Sequence, residues 1–296
     1  MHSRSPSRSR AALSGVVPGV ILAASIVTAP GRAEDAPAWP EPDGTLLLAQ
    51  PFGRSEIALR LSRRGAGSVD VLTWDGVAFL ADTGPGDALQ ARVTLGPGAG
   101  RQASEAGDGS ATGRLRSLRA GRSWVETVTR MAWGGPDAEA APDIVLHKRV
   151  GLGLPGLGNA VEVQARFVLS KPAAAIRFEP LTAAVPADFT EAWSFDPATG
   201  ALSPLDPAPG DRPQPLILAL PGGSHAVGIW SPAPQEGDPD APQAAFASRP
   251  GAGATRLGCV FQRAQAAAGA HDFACYALVG SLTDVRNALR SLTAPE

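Results

Sequence analysis

Residues Leu216–Pro232, LILALPGGSHAVGIWSP, decide how the fold is read. An apolar run rich in branched side chains ends at Leu220, and Pro221, Gly222 and Gly223 then supply turn chemistry. A second apolar run, Ala226–Trp230, follows before Pro232 stops it. Two apolar runs across a Gly-containing turn specify a β-hairpin. The same grammar extends outward from this hairpin. Ser68–Trp74 alternates and stops at Asp75-Gly76, Val77–Leu80 resumes, and Ala88–Leu95 alternates again before Gly96-Pro97-Gly98. Ser123–Trp133, Ile144–Val150, Ala160–Leu169 and Ala174–Leu181 are further strand-length runs bounded by turn residues. No long stripe of 3.6-residue period interrupts them, so the chain is expected to be all-β, a large antiparallel β-sandwich. One helix is expected, at the C-terminus, with Thr283 as its cap. Val285, Ala288, Leu289 and Leu292 form its apolar stripe, with Arg286 and Arg290 outside.

The N-terminus has a different grammar. Arg4, Arg8 and Arg10 precede a mostly apolar stretch, Ala11–Ala29, and Gly31-Arg32-Ala33 fits a small-x-small cleavage site. Residues 1–33 therefore read as a secretory signal peptide, and a periplasmic or secreted protein is expected. Residues 34–44, EDAPAWPEPDG, read as a Pro-rich linker, and residues 45–296 as a single β-sandwich domain. No stretch after the leader is long and apolar enough to cross a bilayer as a helix. Cleavage would lower the basic count from 26 to 22 against 28 acidic residues, a net charge of −6. That balance argues against nucleic acid or an anionic membrane as partner.

Cys259 and Cys275 are the only two cysteines, in the strand-like runs RLGCVFQ and HDFACYALVG. In an oxidising compartment such a pair is expected to form a disulfide between neighbouring strands. Two cysteines without metal-ligand spacing make a poor metal site, and Asp206, Asp211, Asp238 and Asp240 lack the spacing of a calcium loop, so no metal is expected. Gly151, Gly153 and Gly156 match the nucleotide fingerprint, but Pro155 lies inside it and a strand-like run follows. That fingerprint needs a helix to open there, so the glycines are read as turn chemistry and no cofactor is expected.

Glu105 and Asp108 share a glycine-rich segment, and paired carboxylates are how glycosidases move protons. His225 follows the Gly-Gly turn of the hairpin that ends in Trp230. A carboxylate beside an imidazole can act as acid and base near neutral pH, so Glu105 and His225 are the candidate catalytic residues. Arg114 and Arg116 would share one strand face with Leu115 pointing inward, a docking surface suited to carboxylates. Six tryptophans accompany a single tyrosine, and Trp193 and Trp230 join Arg114, Arg116 and Asp108 as candidate substrate contacts because indole faces stack on sugar rings. His147, in IVLHKRV, and His271 carry no recognised catalytic motif around them.

The blocks SEAGDGSATGRLRSL, LHKRVGLGLPGLG, FDPATG and GSHAVGIWSP together resemble a family of uncharacterised secreted bacterial and fungal proteins. In that family the first block reads Asn-Pro-Thr-Glu-Ala-Gly. This chain keeps Glu105, Ala106 and Gly107 but has Gln102, Ala103 and Ser104 in front. The resemblance implies a shared fold and brings no activity with it. A looser similarity, in size and strand density, is to the galactose-mutarotase-like β-supersandwiches, which include epimerases and domains of polysaccharide-degrading enzymes. The His-containing epimerase motifs are missing, so that likeness implies an architecture and not mutarotation. The expectation is a carbohydrate-binding or glycan-active protein, a hydrolase or lyase if Glu105 and His225 meet in one cleft. The alternative is a non-catalytic envelope or carbohydrate-binding module.

Overall fold

The computed structural model describes residues 38–81, 88–96, 100–107, 113–134, 141–206, 209–232, 244–251 and 253–294. The expected leader, Asp108, Asp238 and Asp240 lie outside the described residues. Strands dominate. A small antiparallel sheet comes first: β1 (Thr45–Phe52), β2 (Ser55–Ser62), β3 (Val69–Trp74) and β4 (Val77–Ala78). Then follow β5 (Gln90–Leu95), β6 (Arg101–Ser104), β7 (Arg114–Ala120), β8 (Trp124–Arg130), β9 (Ala132–Trp133), β10 (Ile144–Leu154) and β11 (Leu157–Leu169). The chain continues through β12 (Ala173–Pro186), β13 (Glu191–Asp196), β14 (Ala201–Leu205), β15 (Gly210–Arg212), β16 (Leu216–Ala219) and β17 (Ala226–Trp230). It closes with β18 (Ala245–Pro250), β19 (Ala254–Ala266), β20 (Gly269–Gly280) and the helix α1 (Leu282–Thr293).

Two large sheets make the sandwich. Nine strands run in the order β14-β13-β16-β17-β20-β11-β10-β8-β7, and seven in the order β15-β18-β19-β12-β5-β6-β9. The expected hairpin is β16–β17, paired antiparallel from Leu216↔Ile229 to Ala219↔Ala226. The GLGLPGLG stretch is another hairpin turn, because β10 runs through Gly151 to Leu154 and β11 starts at Leu157. Gly153 and Gly156 both have φ of +77°, which only glycine adopts freely, so this turn needs them.

Alternation along the long strands fixes what is buried. On β11, Val161, Val163, Ala165 and Phe167 face the opposite sheet, while Glu162, Gln164 and Arg166 face away from it. Phe167, Phe178, Phe261 and Phe273 meet between the sheets, with ring centroids 4.5–5.9 Å apart among the contacting pairs. Cys259 on β19 and Cys275 on β20 form the expected disulfide, which ties one sheet to the other within this core.

Helix α1 covers one half of the nine-stranded sheet on its outer face. Val285, Ala288 and Leu289 pack on Phe195, Ile217, Ala219, Ala226 and Leu278. Its cap is Ser281 and not Thr283: the Ser281 hydroxyl accepts from the Asp284 amide at 3.2 Å, and the Asp284 carboxylate accepts from the Ser281 amide at 2.9 Å. Strand β20 runs up to Gly280, so the first hydroxyl after it takes the capping position. Arg286 does not point away into solvent, since its Nε donates to the Gly200 carbonyl at 2.9 Å. Residues 38–44 turn at Glu41–Gly44, and Trp39 packs against the core.

Candidate functional site

The half of the nine-stranded sheet that α1 leaves uncovered carries a groove of about 1080 Å³. Its floor follows from the register. Trp124 on β8 faces Gly151 on β10, Gly151 faces Glu162 on β11, Glu162 faces Tyr276 on β20, and Tyr276 faces Trp230 on β17. These five residues form one cross-strand row, of which Glu162 and Tyr276 line the groove. Two positions along, on the same face, lies the row Arg119, Glu126, Arg149, Gln164 and Ala274. Two further on lies Ser117, Val128, His147, Arg166 and Asp272.

Polar side chains on this floor are mutually held. Glu126 accepts from Arg119 Nη2 at 2.6 Å and from Arg149 Nη1 at 2.9 Å, and those bonds, Arg119 first, hold its carboxyl below the ordinary value. The Arg149 guanidinium lies 4.6 Å from the centre of the Trp124 ring. Arg166 and Asp272 pair through two hydrogen bonds of 2.6 and 3.2 Å. The Tyr276 hydroxyl donates to Glu162 Oε1 at 2.9 Å; burial and then this bond push the phenol up to about 12, so it keeps its proton at neutral pH. Trp230 stacks against the far side of Tyr276, with ring centroids 5.3 Å apart and a 46° tilt. His147 is exposed on the floor, opposite Arg166.

Glycine at 151 opens the middle of the first row. A β-carbon there would meet only Glu162, at 3.7 Å from Oε2 and 3.9 Å from Cβ. The second carboxylate oxygen of Glu162 therefore faces the space above Gly151. No cation pairs with Glu162 among the described residues, and it is the one carboxylate lining the groove of which that is true.

The residues expected from the sequence are dispersed. Glu105 is fully buried behind β6, where its Oε2 accepts from Lys148 Nζ at 2.5 Å and from the Ala91 amide at 3.3 Å. His225 is buried in a different setting, 5.3 Å from the Trp74 ring centre and 6.3 Å from that of Phe79. Its Nδ1 is 3.2 Å from Ser224 Oγ and its Nε2 4.0 Å from Asp75 Oδ2. Glu105 and His225 share no contact, and neither lines the groove. Trp230 and His225 also part company: Trp230 packs with the cluster beneath α1, whereas Trp74, under His225, belongs to the main core. Trp193 is half-buried in that same helix-side cluster. Arg114 lies opposite Arg130 on the groove face of β7, but the register breaks between Leu115 and Ser117. Arg116 is thus the extra residue of a bulge, off the simple alternation expected for it.

Glu162, Tyr276, Arg149 and Gln164 were not anticipated. The signal available was the alternation of large polar residues on long central strands, His147/Arg149, Glu162/Gln164/Arg166 and Asp272/Tyr276. Such a polar face on strands in mid-sheet marks an open surface, but the register that lines these residues up cannot be read from one strand alone.

No family model matches the chain, and no curated protein matches it. Among solved structures, a protein from Synechocystis superposes with a TM-score of 0.47 at 11% identity, over 80% of this chain and 96% of that one. A galactose mutarotase related enzyme from Lactobacillus acidophilus gives 0.45 at 9% identity, over 79% of this chain and 98% of that one. Heparan sulfate lyase HepC from Pedobacter heparinus gives 0.45 at 11% identity, over 81% of this chain but only 35% of the lyase. These are distant likenesses, and nothing about the chemistry of the groove rests on them.

Proposed function

We propose that this is an exported protein that binds an oligosaccharide in the groove over β8, β10, β11 and β20. The observation that carries the reading is the row Trp124–Gly151–Glu162–Tyr276–Trp230: its carboxylate and phenol line the groove, its glycine leaves room above, and its indoles stand at the two ends, at the groove's edge. Sugars need this combination, apolar ring faces for stacking and polar groups for hydroxyls. Row two adds Arg149 and Gln164 as further hydrogen-bonding groups. Export is supported by the use of both cysteines in one disulfide. Among the described residues no helix is long and apolar enough to cross a membrane.

Screening on a glycan array, followed by titration of the tryptophan fluorescence with any hit, tests the proposal. Trp124→Ala and Glu162→Gln are each expected to weaken binding by at least about tenfold. Unchanged affinity in both variants would move the site elsewhere.

A glycan-active enzyme is the second reading, and a specific contact favours it. Glu162 is hydrogen-bonded to a phenol that stays protonated, which puts a proton acceptor and a proton donor 2.9 Å apart in the groove. Under this reading Glu162→Gln retains some glycan binding but abolishes turnover. His147 cannot complete the pair: it lies opposite Arg166, four residues along β11 from Glu162, or about 13 Å at the rise of a strand. Glu105 and His225 then support the sandwich from inside.

A further inference from the structure

Resting on the reading of the groove as a glycan site, we infer that its β20 end holds a subsite for an anionic sugar, with Arg263 receiving a ring carboxylate. Strand β17 stops at Trp230, opposite Tyr276, while β20 begins at Gly269. The β20 edge before Tyr276 is therefore uncovered by any named strand on that side, among the described residues. The groove passes over this edge into the rim between the sheets, where Ser231, Pro232, Phe261, Arg263 and Phe273 line it. Arg263 follows Cys259 and Phe261 at every second position of β19, so its side chain leaves the strand on the face turned to the other sheet.

Charge accounting singles this residue out. Of the arginines lining the groove, Arg119 and Arg149 share Glu126, and Arg166 is paired with Asp272. Arg263 has no acidic partner among the described residues, and its Nε is buried without a hydrogen-bond partner. A guanidinium nitrogen taken out of water and left unbonded is unfavourable unless something else completes it. Phe261 and Phe273 beside it lower the local dielectric, which strengthens its attraction for an anion. The planar guanidinium fork matches a carboxylate in two-point contact.

The rest of the groove gives the ligand a direction. Glu162, without a cation, disfavours a carboxylate in the first row. The acidic group is therefore placed at the Arg263 rim, while a neutral part of the chain, or a hydroxyl, meets Glu162. With four arginines and Lys148 against Glu126, Glu162 and Asp272, the groove lining is net positive on a chain whose formal charge is −2.

The test uses the full chain and four probes, oligomers of galacturonate, mannuronate, guluronate and glucuronate-containing disaccharides, each beside its carboxyl-reduced form. At least one acidic oligomer is expected to bind about tenfold or more tightly than its reduced form. Arg263→Gln should erase that preference without changing affinity for the reduced form. Arg263→Lys, which keeps the charge and loses the fork, should retain only part of it, and it serves should the Gln variant fail to fold. Equal affinity for acidic and reduced forms, or a preference that survives Arg263→Gln, overturns the subsite and leaves the groove reading standing. If no probe binds and an array of neutral glycans also finds no ligand, the groove reading falls and the subsite with it.

Discussion

Glu105 and Lys148 come from opposite sheets and meet at 2.5 Å with neither side chain exposed to solvent. Each needs the other, since a lone charge in such a place is far more unfavourable than the pair. Lys148→Met should therefore destabilise the protein by about 3–5 kcal/mol, read from denaturant unfolding. Adding Glu105→Leu should recover most of that loss; a double variant that only sums two losses would mean that the pair is not coupled. The same reasoning explains why Glu105 looked like a catalytic acid in the sequence. A carboxylate in a glycine-rich segment is chemically suited to that role, and the partner that occupies it is 43 residues away. Gly151 makes the opposite case, a residue without chemistry on which the proposed site depends. Its φ is ordinary and only Glu162 lies within reach of a β-carbon. Gly151→Val should thus leave the melting temperature equal or higher, valine being the better strand former, while glycan affinity falls at least about tenfold. A variant that binds as well as the parent would exclude the gap above Gly151 as the ligand's path.

At the level of elements, β19 and β20 are bound twice, by the phenylalanine cluster and by Cys259–Cys275 across a separation of 16 residues. For a closed loop of that size the chain-entropy account gives on the order of 3 kcal/mol. Replacing both cysteines by alanine should lower stability by that order, and thiol titration of the unfolded, unreduced parent should find no free thiol. Helix α1 depends on a smaller device. A β-carbon on Gly228 would lie 2.7 Å from Val285 Cγ1, so the helix rests directly on the strand backbone. Gly228→Ala is expected to cost about 1–3 kcal/mol by overpacking, and Val285→Ala in the same chain should relieve part of it; two independent losses would argue against direct contact. These elements were largely legible. The hairpin, the strands around Trp74, Ile144 and Ala160, and the amphipathic last helix all announce themselves through local period and turn residues. Less legible were the features set by what a segment meets: the bulge at Arg116, and the choice of Ser281 over Thr283, two hydroxyls two residues apart.

For the whole molecule, the groove shows why a site on a sheet is harder to read than the sheet. The row through Glu162 and Tyr276 draws on β8, β10, β11, β20 and β17, spread from Trp124 to Tyr276, and only the strand order and register align them. Each strand's polar face was visible in the sequence; the pairing that joins the faces was not. The same surfaces set the response to pH. The Tyr276 phenol, raised from 10.0 to about 12 in the folded protein, binds its proton more tightly there than in the unfolded chain, so stability should decline as pH rises through that interval. On the acid side the sign reverses. The Thr199 hydroxyl and the Ala198 amide hold Asp196 below its ordinary value. Burial pushes the Asp211 carboxyl up, but bonds and charge from Arg177 and Arg249, with Gln262, outweigh it and leave the group below its ordinary 3.8. Below that value the unfolded chain takes up protons that the folded one refuses, so the stabilisation is complete above about pH 5 and drains away as pH falls. Asp211 matters most for architecture, because it joins β15 to Arg177 on β12, Arg249 on β18 and Gln262 on β19. Asp211→Asn should therefore lower the denaturation midpoint at pH 7 and flatten its decline between about pH 5 and 3, so that variant and parent converge in acid. Parallel curves over that range would mean that the network contributes to packing alone and that the acid sensitivity arises elsewhere.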